Sequence, residues 1–271
     1  MLRLAFSSGW SRSLVPLLAL PGCLVSFNDY PLGDPKLEPV ASAGAAGTVS
    51  ALPGAGRATG GSATGDGGAE MSISQANPLL IDDFEDGNAA ILPQQGRSGS
   101  WYVANDGRGM QTPPAGTPVM PSALVPARGA SARGAHTFGG PFGSWGALLG
   151  TVFASTDEAG THYDLSGYQG LRLWVRTGAT AGTAAKQVRL NLRTPATVTG
   201  GDCTACNDHL GVEIPLTAKW TQVEVPFTTL RQVGFGRPML PTVDLKRALG
   251  IELLFPPNVS FDLWVDDVEL Y

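Results

Sequence analysis

Short segments in which apolar and polar residues alternate follow one another from Leu79 to Tyr271. In Gly170–Arg176 the apolar residues at every second position share one face of an extended strand, and Val188–Arg193 repeats the pattern. Since Gly, Pro, Asn or Asp bounds the segments, the pattern predicts short β-strands. Further strands are expected at Leu79–Phe84, Ala147–Phe153, Val212–Pro215, Thr221–Pro226, Gly250–Phe255 and Phe261–Leu270, with a helical turn at Asp244–Leu249.

Eight or more short strands in one stretch predict an all-β domain, a jelly-roll β-sandwich, over residues 78–271. The 36 Gly and 21 Pro residues suit many turns better than long helices. The net charge of −5 and the lack of a Lys/Arg run argue against nucleic-acid binding. We also expect no ordinary membrane-spanning helix, because no apolar run reaches the necessary length.

Residues 1–22 have the layout of a secretory signal peptide, with Arg3 and Arg12 before the apolar stretch Leu14–Leu20. Leu20-Pro21-Gly22-Cys23 resembles the bacterial lipobox, which implies cleavage before Cys23 and lipidation of that cysteine. The alternatives are an ordinary signal peptide with an incidental cysteine, or a buried apolar helix. Because no Asp follows Cys23, we expect a protein of the cell envelope, anchored to the outer membrane by lipid alone.

Residues 23–77 are expected to form a disordered linker. From Pro31 to Asn77 there is no aromatic residue, and Gly, Ala, Ser, Thr and Pro dominate. Such a composition buries too little apolar surface to offset the entropy lost on ordering. A coil of about 47 residues would hold the folded domain a few nanometres from the lipid.

Several motifs of the folded domain occur in a familiar order. They are Asp82-Asp-Phe-Glu-Asp-Gly87, Trp145-Gly-Ala147, Trp220 with Val225-Pro-Phe227, and Phe261-Asp-Leu-Trp-Val-Asp-Asp-Val-Glu-Leu270. In this order they resemble the galactose-binding-like jelly rolls, in particular carbohydrate-binding module family 11 and the domain of the complex I intermediate-associated protein. The resemblance implies a β-sandwich that binds carbohydrate.

The same resemblance implies a structural Ca²⁺ held by carboxylates after the first strand and on the last strand. The matching residues are Asp83, Glu85, Asp266 and Asp267. Calcium needs six to eight oxygen ligands, and clustered carboxylates favour a cation between them. The alternative is that these acids lie singly in solvent. Because consecutive strand residues point to opposite faces, at most one of Asp266 and Asp267 is expected to bind directly.

With Cys23 lipidated, Cys203 and Cys206 are the remaining cysteines, and an exported protein in an oxidising compartment is expected to join them in a disulfide. Zinc is the alternative, with His209 and Asp208 completing the ligands, but a second cysteine pair is missing. A thioredoxin-like role has less support, because no helical pattern follows the pair.

Sugar binding needs aromatic faces for stacking and polar groups for the hydroxyls. If the two alternating strands are neighbours, their outward residues form one basic face with an aromatic platform; with the loop residue His209, the candidates are Arg172, Trp174, Arg176, Arg189, Asn191, Arg193 and His209. Arginines make acidic sugars conceivable ligands. The alternative is a solvated strand face. Loop residues Trp101, Tyr102, His136 and Trp145 are secondary candidates, whereas Trp220 and Trp264 are expected in the core.

These observations predict a non-catalytic, monomeric, surface-tethered module that binds an oligosaccharide or polysaccharide. A protein-binding adhesion or assembly module on the same fold is the alternative. A glycan-active enzyme is a weaker one, because the chain has three histidines and neither a Gly-x-Ser-x-Gly elbow nor a His-Glu-x-x-His motif.

Overall fold

The computed structural model describes residues 77–154, 161–178 and 185–271. The predicted signal peptide, Cys23 and all of the predicted linker except Asn77 lie outside these residues. No helix within the described ranges has the length and apolarity needed to cross a membrane.

The described residues form two antiparallel sheets, packed as the predicted jelly-roll β-sandwich. Their strands, in chain order, are β1 (Leu80–Asp82), β2 (Trp101–Asn105), β3 (Gln111–Thr112), β4 (Ser122–Arg128), β5 (Ser131–Gly139), β6 (Ala147–Val152), β7 (Gly170–Thr177), β8 (Gln187–Arg193), β9 (Leu210–Pro215), β10 (Thr221–Pro226), β11 (Gly250–Phe255) and β12 (Phe261–Leu270). The first sheet, called sheet A, has the order β10-β7-β12-β5-β3, with β1 paired to β12 and β4 to β5. The second, sheet B, has the order β2-β6-β11-β8-β9.

The strands predicted from alternation are present, within a few residues of their expected ends. The first is shorter than expected because the Asp82 carboxylate accepts the Phe84 backbone N–H (2.8 Å) and Phe84 takes a φ of 62°, which turns the chain. The helical turn is a 3₁₀ helix at Leu245–Arg247, preceded by Asp244, whose carboxylate accepts the Lys246 N–H. A second 3₁₀ helix lies at Phe227–Thr229.

Strands β2 to β5 were not predicted. β4 contains Pro126, which has no N–H to donate. It pairs with β5 alone, and the register of that pairing shifts between Ala123 and Arg128. β5 mixes polar residues and Gly134 into its sequence, so its alternation is weak. Both strands are recruited by pairing with their neighbours rather than by their own pattern.

The core lies between the sheets and is built from the inward-facing residues of both. Each buried Leu or Val side chain contributes about 1.5–3 kcal/mol. From β7 and β8 the core receives the fully buried side chains of Leu171, Leu173, Val175, Val188, Leu190 and Leu192. The rings of Phe255 and Phe261 stack 4.2 Å apart between their centroids.

Strands β7 and β8 lie in different sheets, so the prediction that they could be neighbours is wrong. β7 pairs with β10 and β12, whereas β8 pairs with β9 and β11. Both strands turn their apolar residues toward one shared core, which places their polar residues on opposite outer faces of the sandwich. Arg172, Trp174 and Arg176 therefore face away from Arg189, Asn191 and Arg193.

Candidate functional site

One row of residues crosses the outer face of sheet B at its centre. The strand register places Tyr102, Gly150, Glu252, Asn191 and Gly211 side by side on β2, β6, β11, β8 and β9. A Cβ added at Gly150 would come within 2.9 Å of the Tyr102 ring and hydroxyl. The missing side chain is thus what lets the tyrosine lie across the sheet, next to Glu252.

Glu252 is the centre of a polar network on this face. Its Oε1 lies 3.1 Å from Arg193 Nε and accepts from the Tyr102 hydroxyl at 3.5 Å. The Tyr102 oxygen in turn accepts a hydrogen bond from an Arg193 terminal nitrogen at 3.0 Å. Glu252 is 7% exposed, and the Arg193 side chain 15%. Burial on this face strengthens these contacts and fixes the rotamers of Tyr102 and Arg193.

His209 closes the network on the far side of Glu252. Its Nε2 lies 3.6 Å from Glu252 Oε2, and its Nδ1 bonds the Thr197 hydroxyl at 2.7 Å. Burial lowers the pKa of His209, and the attraction of Glu252 opposes this shift without cancelling it. The imidazole is therefore neutral at neutral pH, and Glu252 keeps Arg193 as its cationic partner.

Asn191 lies beside Glu252 and is 2% exposed. Its Oδ1 has no hydrogen-bond partner among the described residues, and a Cβ at Gly211 would come within 2.2 Å of that oxygen. A buried acceptor normally receives a hydrogen bond from a protein group or from an ordered water molecule. Asn191 Oδ1 is therefore a buried acceptor beneath the centre of the face, and no partner for it is present among the described residues.

A cavity of about 240 Å³ opens beside this row, and Ala185, Lys186, Gln187, Arg189, Glu213, Leu254, Pro256 and Val259 line it. Arg189 donates to the Arg231 carbonyl at 2.5 Å and lies 3.6 Å from Glu213. The lining combines an apolar floor with two cations and one acid. We use the name sheet B site for this cavity together with Tyr102, Asn191, Arg193, His209 and Glu252.

The loop between β8 and β9 carries His209 of the sheet B site. Cys203 and Cys206 form the predicted disulfide in this loop. Asp208 accepts the backbone N–H groups of Val233, Gly234 and Gly236, each at 2.8 Å, and so joins this loop to the next one. With the sulfurs bonded to each other and Asp208 engaged by three amides, the structure does not support the zinc alternative.

The outer face of sheet A carries a different arrangement, which we call the arginine–tryptophan ladder. Arg128 lies over Trp174 (4.7 Å) and Trp220 (5.8 Å), and Arg176 lies 5.1 Å from both Trp220 and Trp264. His136 stacks on Trp264 at 3.9 Å. Each of these rings already carries a cation or a second ring on a face, and a pyranose needs a free face. Trp174 has one such contact, from Arg128, and its role as a sugar platform stays a prediction.

The structure corrects five sequence-based placements of aromatic residues. Tyr102 and His136 were expected in loops but lie in β2 and β5, and the other three residues are tryptophans. Trp220 and Trp264 were expected in the core but are half-buried in the ladder on the outer face. Trp101 was expected in a loop; it is 1% exposed in the core and donates from Nε1 to Asp82 at 2.7 Å. Trp145 is half-buried in the loop before β6, as a loop candidate would be.

The other predicted ligand residues of sheet A are engaged by protein. Arg172 donates to Glu224 and Glu269, each at 2.8 Å. His136 pairs with Asp262 at 2.8 Å. No observation tests whether Arg172, Trp174 or Arg176 binds a ligand, and that role stays a prediction.

The predicted calcium ligands do lie near one another. Asp83, Glu85 and Asp267 line a cavity of about 380 Å³, together with Arg128 and the chain from Gly129 to Ser131. In the described ranges, however, no group of three or more His, Cys, Asp or Glu side chains is arranged to hold a metal ion. The guanidinium of Arg128 already contacts Asp266 and Asp267. The side chains as placed do not fit a calcium ion, and calcium binding stays an untested prediction.

Sequence reasoning missed Glu252, the centre of the sheet B site, and treated Tyr102 as a secondary candidate. A signal for Glu252 was present. It is the one charged residue in Gly250–Phe255, an otherwise apolar strand. A charge in such a strand is rarely buried without partners, so it marks a polar network on the outer face.

No family model and no curated protein matches the chain. Among solved structures, it is similar to the family 11 carbohydrate-binding module of the cellulosomal cellulase Lic26A-Cel5E of Clostridium thermocellum, at 18% identity over 70% of this chain and 92% of that one, with a TM-score of 0.45. It is also similar to the family 11 module of that organism in complex with a β-1,3-1,4-mixed-linked tetrasaccharide. The identity is 18% over 71% of this chain and 94% of that one, with a TM-score of 0.45. A third similar structure is the family 30 carbohydrate-binding module of the cellulase Cel9D-Cel44B of Clostridium thermocellum. The identity is 11% over 71% of this chain and 97% of that one, with a TM-score of 0.43. Because these TM-scores are below 0.5, the description of the chain as a β-sandwich depends on its own two sheets and not on this similarity.

Proposed function

We propose that this chain is a non-catalytic module that binds an oligosaccharide or polysaccharide across the sheet B site. The observation that carries the proposal is the convergence of Tyr102, Arg193 and Glu252 beside a cavity on one sheet face. The three side chains fix one another's positions at 3.0–3.5 Å. A preorganised set of polar groups next to an apolar surface is the usual composition of a small-molecule site.

The chemistry of the site matches the two surfaces of a sugar. A pyranose presents an apolar C–H face and a rim of hydroxyls that both donate and accept hydrogen bonds. Tyr102 and the cavity floor of Leu254, Pro256 and Val259 can receive the apolar face. Arg193 supplies donors, and Glu213 in the cavity lining supplies an acceptor, for the hydroxyls.

The position of the module in the cell is part of the proposal. Lipid on Cys23 would anchor the chain to the outer membrane, because two or three acyl chains contribute about 0.8 kcal/mol for each buried methylene. A linker over residues 23–77 would then let a monomeric domain reach for glycan at some distance from the bilayer.

Protein binding is the second candidate function, and one feature favours it. The loop that Asp208 holds exposes three large apolar side chains, Val233 (67%), Phe235 (44%) and Met239 (52%). Apolar groups clustered on one exposed loop are a common feature of protein interfaces.

The test is a glycan array with the full-length chain, followed by isothermal titration against the polysaccharides retained. Tyr102→Ala and Glu252→Gln should each weaken binding by roughly ten-fold or more, as expected for central contacts. Trp174→Ala on sheet A is the matched aromatic control and should leave the affinity unchanged. Loss of binding in the Trp174 variant alone would move the site to sheet A. A silent array with a protein captured through Phe235 would favour the second candidate.

A further inference from the structure

The last strand is not regular at Asp266 and Asp267. The pairing of β12 with β7 shifts register between Asp266 and Glu269, and Asp267 has a φ of 40°. This β-bulge removes the strict alternation that would send the two carboxylates to opposite faces. Both carboxylates consequently reach the same side chain, Arg128 at the end of β4.

Arg128 joins these two acids through different nitrogens. Its Nε lies 2.9 Å from Asp266 Oδ2, and a terminal nitrogen bonds the Asp267 carboxylate. The side chain of Asp266 is fully buried and that of Arg128 is 15% exposed. A buried carboxylate in this position needs a positive partner, and the guanidinium supplies one with directional hydrogen bonds.

The other acid of this cluster is satisfied by backbone donors. Glu85 Oε1 accepts the N–H groups of Ala132 (2.8 Å) and Arg133 (3.0 Å). The Ser131 hydroxyl lies 2.6 Å from Asp266 Oδ2 and 3.1 Å from Glu85 Oε1. Two oxygens that a calcium ion could recruit, Glu85 Oε1 and Asp266 Oδ2, are thus already used by the hairpin that carries Arg128.

The position of Arg128 is fixed from a second direction by aromatic rings. Its guanidinium carbon lies 4.7 Å from the Trp174 ring centroid and 5.8 Å from that of Trp220. The edge of the planar guanidinium therefore bonds the two carboxylates, and its face packs on the tryptophan rings of the ladder. Lysine could reach the acids but could not reproduce both contacts.

We infer that Arg128 is a built-in cation at the position for which the sequence predicted calcium. The guanidinium is the positive partner of both Asp266 and Asp267, and the domain folds without a metal ion there. Because the guanidinium occupies carboxylate oxygens of both acids, a calcium ion would have to displace Arg128 to bind there.

The experiment measures the thermal midpoint and the calcium content of the full-length chain. After dialysis against EDTA, adding millimolar CaCl₂ should leave the midpoint unchanged, and elemental analysis should find no stoichiometric calcium. A calcium ion present at about a hundred times its Kd would instead raise the midpoint by roughly 5–10 °C, and such a rise in the parent protein would overturn the inference.

Arg128→Ala should lower the midpoint by roughly 6–15 °C, since it leaves a buried carboxylate without its partner. Arg172→Ala is the matched control, because Arg172 also pairs with two acids on sheet A but is 30% exposed. It should shift the midpoint by about 3 °C or less. Equal stability of the Arg128→Ala and parent proteins would overturn the inference. If Arg128→Ala does not fold, Arg128→Lys should fold with a midpoint below that of the parent. A midpoint equal to the parent's would contradict the role given to the two contacts of the guanidinium with Asp266 and Asp267.

Discussion

Asp82 provides a pH-dependent test of how β1 is held in the fold. Its carboxylate is fully buried and accepts hydrogen bonds from the Phe84 N–H (2.8 Å) and from Trp101 Nε1 (2.7 Å). Burial raises the pKa of Asp82 from 3.8 to about 7, because the two hydrogen bonds only partly offset the loss of hydration. The neutral acid therefore suits the folded protein better than the carboxylate does.

The size of the effect follows from the shift. Since one pKa unit corresponds to about 1.4 kcal/mol, a shift of about three units corresponds to roughly 4 kcal/mol. The folded pKa exceeds the unfolded one, so this stabilisation is fully present below pH 3.8 and is lost as the pH rises through about 7. In Asp82→Asn the side chain does not ionise, and this part of the pH dependence should disappear.

The assay is urea unfolding of the parent and Asp82→Asn proteins at several values between about pH 4 and pH 8. The difference in unfolding free energy, variant minus parent, should rise by up to roughly 4 kcal/mol across this range, because the titrations common to both proteins cancel. Asp202→Asn, at an exposed acid 3.0 Å from Arg247, is the control and should show a change below about 1 kcal/mol. A difference for Asp82→Asn that stays flat with pH would refute the reasoning.

Two further substitutions test the construction of the sheet B site. Gly150→Ala should displace the Tyr102 ring, which the added Cβ would approach to 2.9 Å, and weaken glycan binding by roughly ten-fold while the far-ultraviolet circular dichroism stays the same; unchanged affinity would show that the position of Tyr102 is unimportant. Asp208→Ala should leave three backbone N–H groups without their acceptor and lower the unfolding free energy by about 2–3 kcal/mol. Hydrogen exchange at Val233–Gly236 should then speed up, and protection equal to the parent's would contradict the role of Asp208.

Alternation along the chain was enough to predict the fold class and to separate inward from outward residues on β7 and β8. It could not assign these strands to sheets, because the period-two pattern of a strand is the same on either side of a sandwich. Residues from two opposite faces were therefore combined into one predicted surface. Which strands pair is decided by contacts far apart in the sequence, and those leave no local pattern.

Two features of the acid cluster were also beyond local reasoning. The bulge at Asp267 changes the direction of one side chain, and no glycine marks it in the sequence. Arg128 lies 138 residues before Asp266, so the pair is visible only once β4, β5 and β12 are placed. The disulfide, by contrast, could be predicted, because its two cysteines are close in the sequence and the N-terminal pattern predicts an oxidising compartment.

The arginine–tryptophan ladder has a consequence for spectroscopy. Trp174, Trp220 and Trp264 report on sheet A, and Trp101 reports on the core. No tryptophan of the described residues is among the side chains of the sheet B site, whose aromatic group is a tyrosine. A sugar bound there would leave the emission of the three sheet A indoles nearly constant, so a small fluorescence response would be the expected behaviour of a working module. Calorimetry, or the chemical shifts of Tyr102, would detect the same binding event directly.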